Sequence, residues 1–323
     1  MQDAFDADLV DVDTALGQLG RPGRIIHRVA GTGGLLAWYC HRNRKRYEVI
    51  VSDGEQVGLP LAILQRFLGR GTARHLMIVH IMSVPKKAGL TSALRLARLI
   101  DCFVVYCSFQ REFIIDRFGV PPDDVVLTTF QVDTQFFDPS KVEGPDVPLI
   151  SSAGLERRDY ATLLRAVDGL DVSVLIAADS PWSKREDSTQ HGARPANVEF
   201  ERLSLHDLRD LYGRSNFVVM PLEAVDFQAG ITTILEAMSM GKAVICSRTV
   251  GQNDTLIEGE TAVYVEAHDP AALRQAVVAL LDDDARATQL GANARRWVVE
   301  NADVHRYSDR LATEVQRLRQ VAR

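Results

Sequence analysis

Between Phe217 and Ser247 the chain reads FVVMPLEAVDFQAGITTILEAMSMGKAVICS, and these residue types at this spacing suit the binding of an anion. Gly230 stands just before an expected helix. Glycine there lets a ligand approach the backbone, and the first N–H groups of a helix have no intrahelical partners. Together with the helix dipole, the amides of Gly230, Ile231, Thr232 and Thr233 would form an anion site. Its worth is about 0.3–1 kcal/mol per charge when exposed and more when buried. The hydroxyls of Thr232 and Thr233 can add donors, and Glu236 lies one turn further on, within reach of a diol across the helix start. A second group of polar residues comes from the first half. His80 ends the run Leu76-Met-Ile-Val-His80, and a ring at the carboxyl end of a parallel strand points into a cleft. Asp53, Glu55 and Gln56 follow another strand and can hydrogen-bond a hydroxyl.

These residues have to be positioned by elements whose order is legible. Strands are expected at Ala7–Val12, Glu48–Ser52, Leu76–His80, Cys102–Cys107 and Val125–Thr129 in the first half. In the second half they are expected at Pro148–Ser152, Val172–Ala178, Val198–Leu203, Phe217–Pro221 and Ala243–Ser247. Helical patterns fall between them, at Leu59–Leu68, Ser108–Phe118, Tyr160–Val167, Leu205–Tyr212 and Thr232–Met240. Short apolar strands alternating with helices predict parallel sheets covered on both faces, an α/β fold of doubly wound, Rossmann-like domains. Three prolines and a glycine in Phe137–Pro148 mark the break between them. The expected organisation is therefore 1–147, 148–302, and a closing helix in 303–323. Ligands of such domains bind outside the carboxyl ends of the strands, here in a cleft between the two. The first half looks short, opening on an early strand without the usual βα unit before it.

Composition narrows the class. The chain has 323 residues, 46% hydrophobic and 25% charged, with a formal net charge of -6, which is ordinary for a soluble globular protein. An acidic total argues against a nucleic-acid partner. The four cysteines, Cys40, Cys102, Cys107 and Cys246, form no zinc-ligand spacing. Three of them lie in or beside apolar runs, where buried free thiols are common, and the chain reads as a reduced, cytoplasmic protein. The start is acidic where a signal peptide would be basic, and no apolar run nears the ~20 residues that span a bilayer. Membrane contact is expected to be peripheral at most, through basic patches such as Arg42-Asn-Arg-Lys-Arg46.

The stretch around Glu236 resembles the donor-binding motif of the retaining family 4 glycosyltransferases, which have the GT-B fold. Members carry Glu, seven residues, then a second Glu followed by Ala-Met and a Gly before the next strand. Here Gln228 stands at the first Glu and Glu236 at the second, and Ala237-Met-Ser-Met-Gly-Lys-Ala-Val244 completes the pattern. Ser152-Ala-Gly-Leu-Glu-Arg-Arg-Asp-Tyr160 looks like the segment whose basic residues hold a diphosphate, which makes Arg157 and Arg158 candidates. Val198–Tyr212 looks like the strand and helix whose junction, near Leu203, borders the nucleotide base. Asp254–Val265 and Asp269–Leu273 resemble the end of that domain, so the likeness covers roughly 148–300 well and the first half in outline.

The resemblance implies a glycosyltransferase whose closing helix, here in 303–323, crosses back to the first domain. The donor would be a nucleoside diphosphate sugar, with UDP or GDP as carrier, and the acceptor a small molecule, lipid or glycan. Transfer would proceed with retention, without a metal or other cofactor. Glu236 would hold the ribose, Gly230–Thr233 and the arginines the diphosphate, and His80 and Gln228 would stand by the reacting sugar. Asp53, Glu55 and Gln56 would serve the acceptor. The chain also departs from the pattern: Gln228 keeps a hydrogen-bonding side chain but lacks the charge, and Gly230-Ile231 replaces a Phe-Gly pair. Two other readings stay open on these residues. One is a nucleotide-sugar epimerase or hydrolase on the same fold; the other is a binding subunit without turnover.

Overall fold

The computed structural model describes residues 5–144, 147–177 and 194–321. Residues 1–4 of the acidic start, Pro145 and Asp146 in the proline-rich break, Ala178 of an expected strand, and residues 322–323 of the closing segment lie outside the described residues. The chain divides into two compact units, Met1–Thr128 with Tyr307–Arg323, and Thr129–Arg306.

The first unit begins with a helical stretch, α1 (Val12–Asn43), that is broken at Gly20 (φ 61°) and Gly31 (φ 68°). The strand expected at Ala7–Val12 is not formed. Asp11 instead caps α1, its carboxylate accepting from the Thr14 amide at 2.7 Å, and such a cap outweighs the strand propensity of two valines. The sheet comes after it. β1 (Val49–Asp53), β2 (Arg74–Val79), β3 (Cys102–Val105) and β4 (Val125–Leu127) are all parallel and lie in that order. Every residue of β3 is buried, as are His75–Val79 of β2, which is why they read as continuous apolar runs rather than as alternating ones. Helices α2 (Glu55–Leu68), α3 (Pro85–Ala93) and α4 (Ser108–Phe118) connect the strands. Leu59, Met77, Phe103, Val105 and Ile114 share one core cluster, and Ala37 of α1 packs with Ile50 and Leu61 in another.

In the second unit a six-stranded parallel sheet has the order β10-β9-β8-β5-β6-β7. The strands are β5 (Leu149–Ala153), β6 (Ser173–Ala177), β7 (Val198–Glu201), β8 (Phe217–Met220), β9 (Ala243–Ser247) and β10 (Ala262–Val265). Counted from β5 this is the doubly wound order 3-2-1-4-5-6, in which the chain reverses its direction of growth between the first and fourth strands. Successive residues of β8 alternate between the two faces. Val218 and Met220 join a core with α6 (Leu205–Arg214), α7 (Ile231–Ser239) and α9 (Asp284–Asn301). Phe217 and Val219 join the other, with α5 (Tyr160–Val167) and α8 (Pro270–Leu281). The last helix, α10 (Val304–Val321), belongs to the first unit from Tyr307 onward. There Leu311, Val315 and Leu318 are buried and the Tyr307 hydroxyl lies 2.7 Å from that of Tyr106. Among the described residues no helix is long and apolar enough to cross a membrane.

Candidate donor-binding site

The switch between β5 and β8 fixes where a ligand of the second unit would lie, outside their carboxyl ends. The segment after β5 is tied across this point. Gly154 (φ 90°) and Arg157 (φ 56°) bend the chain. The Asp159 amide then donates to the Pro221 carbonyl at 2.9 Å, and the Glu223 amide to the Arg157 carbonyl at 3.0 Å. Asp159 goes on to cap α5, accepting from the Thr162 amide at 3.0 Å. The turn holds Arg158 in place. Its Nε donates to the Ala153 carbonyl at 2.9 Å and its Nη1 to the Glu156 carbonyl at 2.7 Å.

The same guanidinium lies against the start of α7. A Cβ on Gly154 would sit 2.6 Å from Nη2, and one on Gly230 would sit 3.0 Å from both Nη1 and Nη2. Both glycines are therefore needed to admit the arginine. Gly230 also has φ 75°, a conformation costly for any residue with a Cβ. Among the described residues no side chain caps α7, so its first amides lack intrahelical and capping partners there. Burial pulls the Arg158 pKa down from its ordinary value, but a guanidinium keeps its charge at any physiological pH. One fixed cation and a row of amides thus converge on a single helix end.

One turn along α7, Glu236 is 7% exposed. The Tyr212 hydroxyl donates to its Oε2 at 3.2 Å. Burial raises the Glu236 pKa to about 8, and the bond from Tyr212 offsets this only in part. A carboxylate this poorly solvated gains from any ligand that brings hydroxyl donors. Gln228, 8% exposed, precedes α7 in a loop that packs on the following one: its Nε2 donates to Thr255 Oγ1 at 3.2 Å, while its buried Oε1 has no hydrogen-bond partner among the described residues. The Gln252 amide donates to the Ala229 carbonyl and fixes the same loop.

Residues 155–283 match the family of glycosyl transferases group 1. The chain carries a group 1 glycosyl transferase domain. It is 36% identical over 182 residues, 55% of this chain and 41% of the other, to the D-inositol 3-phosphate glycosyltransferase 1 of Catenulispora acidiphila. It is 35% identical over 177 residues to the GDP-mannose-dependent alpha-(1-6)-phosphatidylinositol monomannoside mannosyltransferase of Mycolicibacterium smegmatis, covering 53% of this chain and 44% of that one. The chain spans about half the length of the curated relatives it matches. Among solved structures, the sucrose-phosphate synthase of Thermosynechococcus elongatus is similar with a TM-score of 0.74 at 18% identity, over 92% of this chain and 79% of that one. That likeness is one of fold, the two-domain α/β GT-B fold.

Within the group 1 domain the structure brings together Arg158, Gly230, Ile231, Thr233, Glu236 and Gln228, while Thr232 is exposed on the first turn of α7. Arg157 has a left-handed backbone that makes the turn, while the Arg158 guanidinium lies against Gly230. Leu203 follows β7, packs against the α7 core, and lines a cavity of about 580 Å³ with Leu175, Glu201 and Leu211. Tyr212 and Gly154 were not foreseen from the sequence. A tyrosine in the last turn of an amphipathic helix carries no sign that its hydroxyl meets a carboxylate from another helix.

The polar residues of the first unit form their own cluster. His80, with its side chain 45% exposed, lies just past β2, and its Nε2 is 3.2 Å from Asp53 Oδ1. That hydrogen bond raises the imidazole pKa above its ordinary value, against an opposing effect of burial. Gly54 sits among Asp53, His80 and Gln56; a Cβ there would be 3.4 Å from His80 Cδ2 and 3.7 Å from Gln56 Nε2. Glu55 has a different task from the hydroxyl contact expected of it. Its Oε1 accepts from the amides of His80 at 2.9 Å and Ile81 at 2.5 Å, and its Oε2 pairs with Lys87 at 3.5 Å. It shapes the loop that carries His80. Among the described residues no group of three or more His, Cys, Asp or Glu side chains is gathered to hold a metal.

Proposed function

We propose that this chain binds a nucleoside diphosphate sugar in its second unit and transfers the sugar to an acceptor hydroxyl. The observation that carries this reading is the convergence at the β5–β8 switch point. Arg158 is pinned beside Gly230 and the uncapped start of α7, with the buried Glu236 carboxyl one turn further on. Arg158 and the amides of Ile231–Thr233 receive the diphosphate, the ribose diol donates to Glu236, and Leu203 borders the base. The Gln228 side chain, with its unpartnered Oε1, hydrogen-bonds a hydroxyl of the transferred sugar.

In transfer, the bond from the anomeric carbon to the diphosphate breaks and its electron pair leaves on the diphosphate. The acceptor oxygen forms the new bond and passes its proton to an oxygen of the departing diphosphate. Charge thus develops on a leaving group already surrounded by fixed positive donors, where electrostatic stabilisation is most effective. We assign to Arg158 and the helix start the neutralising role that a metal fills in other transferases, and read the transfer as proceeding with retention. His80, held by Asp53, is the group of the first unit we assign to orienting the sugar. The carrier base is UDP or GDP; a mannosyltransferase relative is named for GDP-mannose.

A binding role without turnover is the second reading, favoured by an amide at Gln228 where the resemblance leads one to expect a carboxylate. Calorimetric titration with UDP, GDP, ADP and dTDP, repeated on Glu236→Ala, tests the donor site. Tight binding of one diphosphate, lost in the variant, is the expected result; no binding of any would sink the proposal. Gln228→Glu then separates the two readings, because it alters the rate of a working transferase and leaves a pure binder inactive.

A further inference from the structure

The first unit carries an exposed surface that the donor site does not use. The breaks at Gly20 and Gly31 set off the segment Arg21–Ala30 as a short helix within α1. Its inner side is closed. Gly23 is buried against Leu19, and Ile26 packs on the cluster of Ala15, Leu35 and Tyr39. At about 100° per residue, Ile25 and Val29 fall together on the outer side, one turn apart, next to Arg21, Arg24 and Arg28. Ile25 is 66% and Val29 83% exposed, and all three arginines are exposed. None of the three has an ion pair among the described residues.

A single exposed aliphatic side chain is ordinary; a stacked pair bordered by three unpaired arginines is not. The charge around it is segregated as well. From Thr14 to Tyr47 the chain has seven arginines and lysines and no aspartate or glutamate, within a protein of net charge -6. We propose that the Arg21–Ala30 segment docks on an anionic lipid surface, with Ile25 and Val29 entering the headgroup boundary and the arginines meeting lipid phosphates. Apolar residues beside a basic arc are what an interfacial helix requires. A second copy of this chain would bring like charges together, and a nucleic acid would leave Ile25 and Val29 without a role.

The segment lies at the functional end of its unit. A Cβ on Gly33 would collide with the Gln56 carbonyl at 2.0 Å, so the chain just after the Gly31 break rests on the first turn of α2. This is the end of the sheet where Asp53 and His80 stand.

Flotation of the full chain with lipid vesicles tests the proposal. The protein is expected to float with vesicles of phosphatidylcholine and phosphatidylglycerol, to stay behind with phosphatidylcholine alone, and to be released by high salt. Replacing Arg21, Arg24 and Arg28 by Gln should weaken partition about a hundredfold, at roughly fivefold per cation. Ile25→Asp with Val29→Asp should abolish flotation, while Arg286→Gln, an exposed charge on the other unit, should leave it unchanged. Circular dichroism and thermal melting identify any variant that fails to fold. Absence of flotation with the anionic vesicles, equal flotation of the arginine variants, or equal binding to neutral vesicles would overturn the proposal. So would a concentration-dependent dimer in sedimentation that vanishes with Ile25→Asp and Val29→Asp, which would make a second copy the occupant.

Discussion

Glu236 provides the sharpest test of the donor site, because its protonation and ligand binding have to be linked. In the free protein burial raises its pKa to about 8, so near pH 7 roughly ten molecules hold a neutral carboxyl for each that holds a carboxylate. Ribose hydroxyls donate to the charged form, which lowers the pKa in the complex. Binding at about pH 7 must then release close to one proton and is weakened about tenfold relative to about pH 9, where the free group is already mostly ionised. The sign is definite: affinity rises as pH rises through the pKa of the free group. Calorimetry of the best nucleoside diphosphate in two buffers of different ionisation enthalpy measures the proton count directly. Glu236→Gln supplies the baseline, since whatever linkage remains in it belongs to the ligand or to other groups. A wild-type protein that releases no more protons than Glu236→Gln would refute the assignment of the ribose to this carboxyl.

Other expectations follow from the same geometry. Arg158→Ala should weaken diphosphate binding by about one to two orders of magnitude, the worth of a charge-assisted contact or two, while Arg157→Ala should change it little; the same titration reads both. Gly230→Ala adds a Cβ at positive φ against the guanidinium, and should cost about 1–2 kcal/mol of stability in a denaturant melt together with donor affinity. Tyr212→Phe removes the hydroxyl that favours the Glu236 carboxylate, so the pH window of the binding linkage should move upward. In the first unit Asp53→Asn should lower the His80 pKa towards or below its ordinary value, because the bond from Asp53 is the largest cause of its rise; an NMR titration of the ring follows this.

The sheets were largely legible because parallel strands buried on both faces leave continuous apolar runs such as Cys102–Val105 and Phe217–Met220. The early strand at Ala7–Val12 was not, since periodicity over a few residues cannot weigh a capping aspartate against two valines. Of the candidate site, the helix start at Gly230 announced itself through glycine placement and the residues around it. Which of Arg157 and Arg158 lies against Gly230 had no such sign. It depends on which of two neighbours takes the left-handed backbone, and that is settled by the pairing of the Arg157 carbonyl with Glu223 and of the Asp159 amide with Pro221. Glu55 misled for a related reason: a carboxylate after a strand looks available until the loop that folds over it is known.

The way the units are threaded bears on how the molecule is made. The second unit is one continuous stretch, Thr129–Arg306, whereas the first is completed only by Tyr307–Arg323. That late segment brings the Tyr307 hydroxyl to Tyr106, Arg317 to Asp124 and Arg319 to Glu48. On the ribosome, the second unit can close its sheet while the half begun earlier still waits for its last helix. Because domains tend to fold as they emerge, the later-encoded unit matures first. Throughout synthesis of the other unit, Tyr106, Asp124 and Glu48 then wait for the partners that α10 brings them.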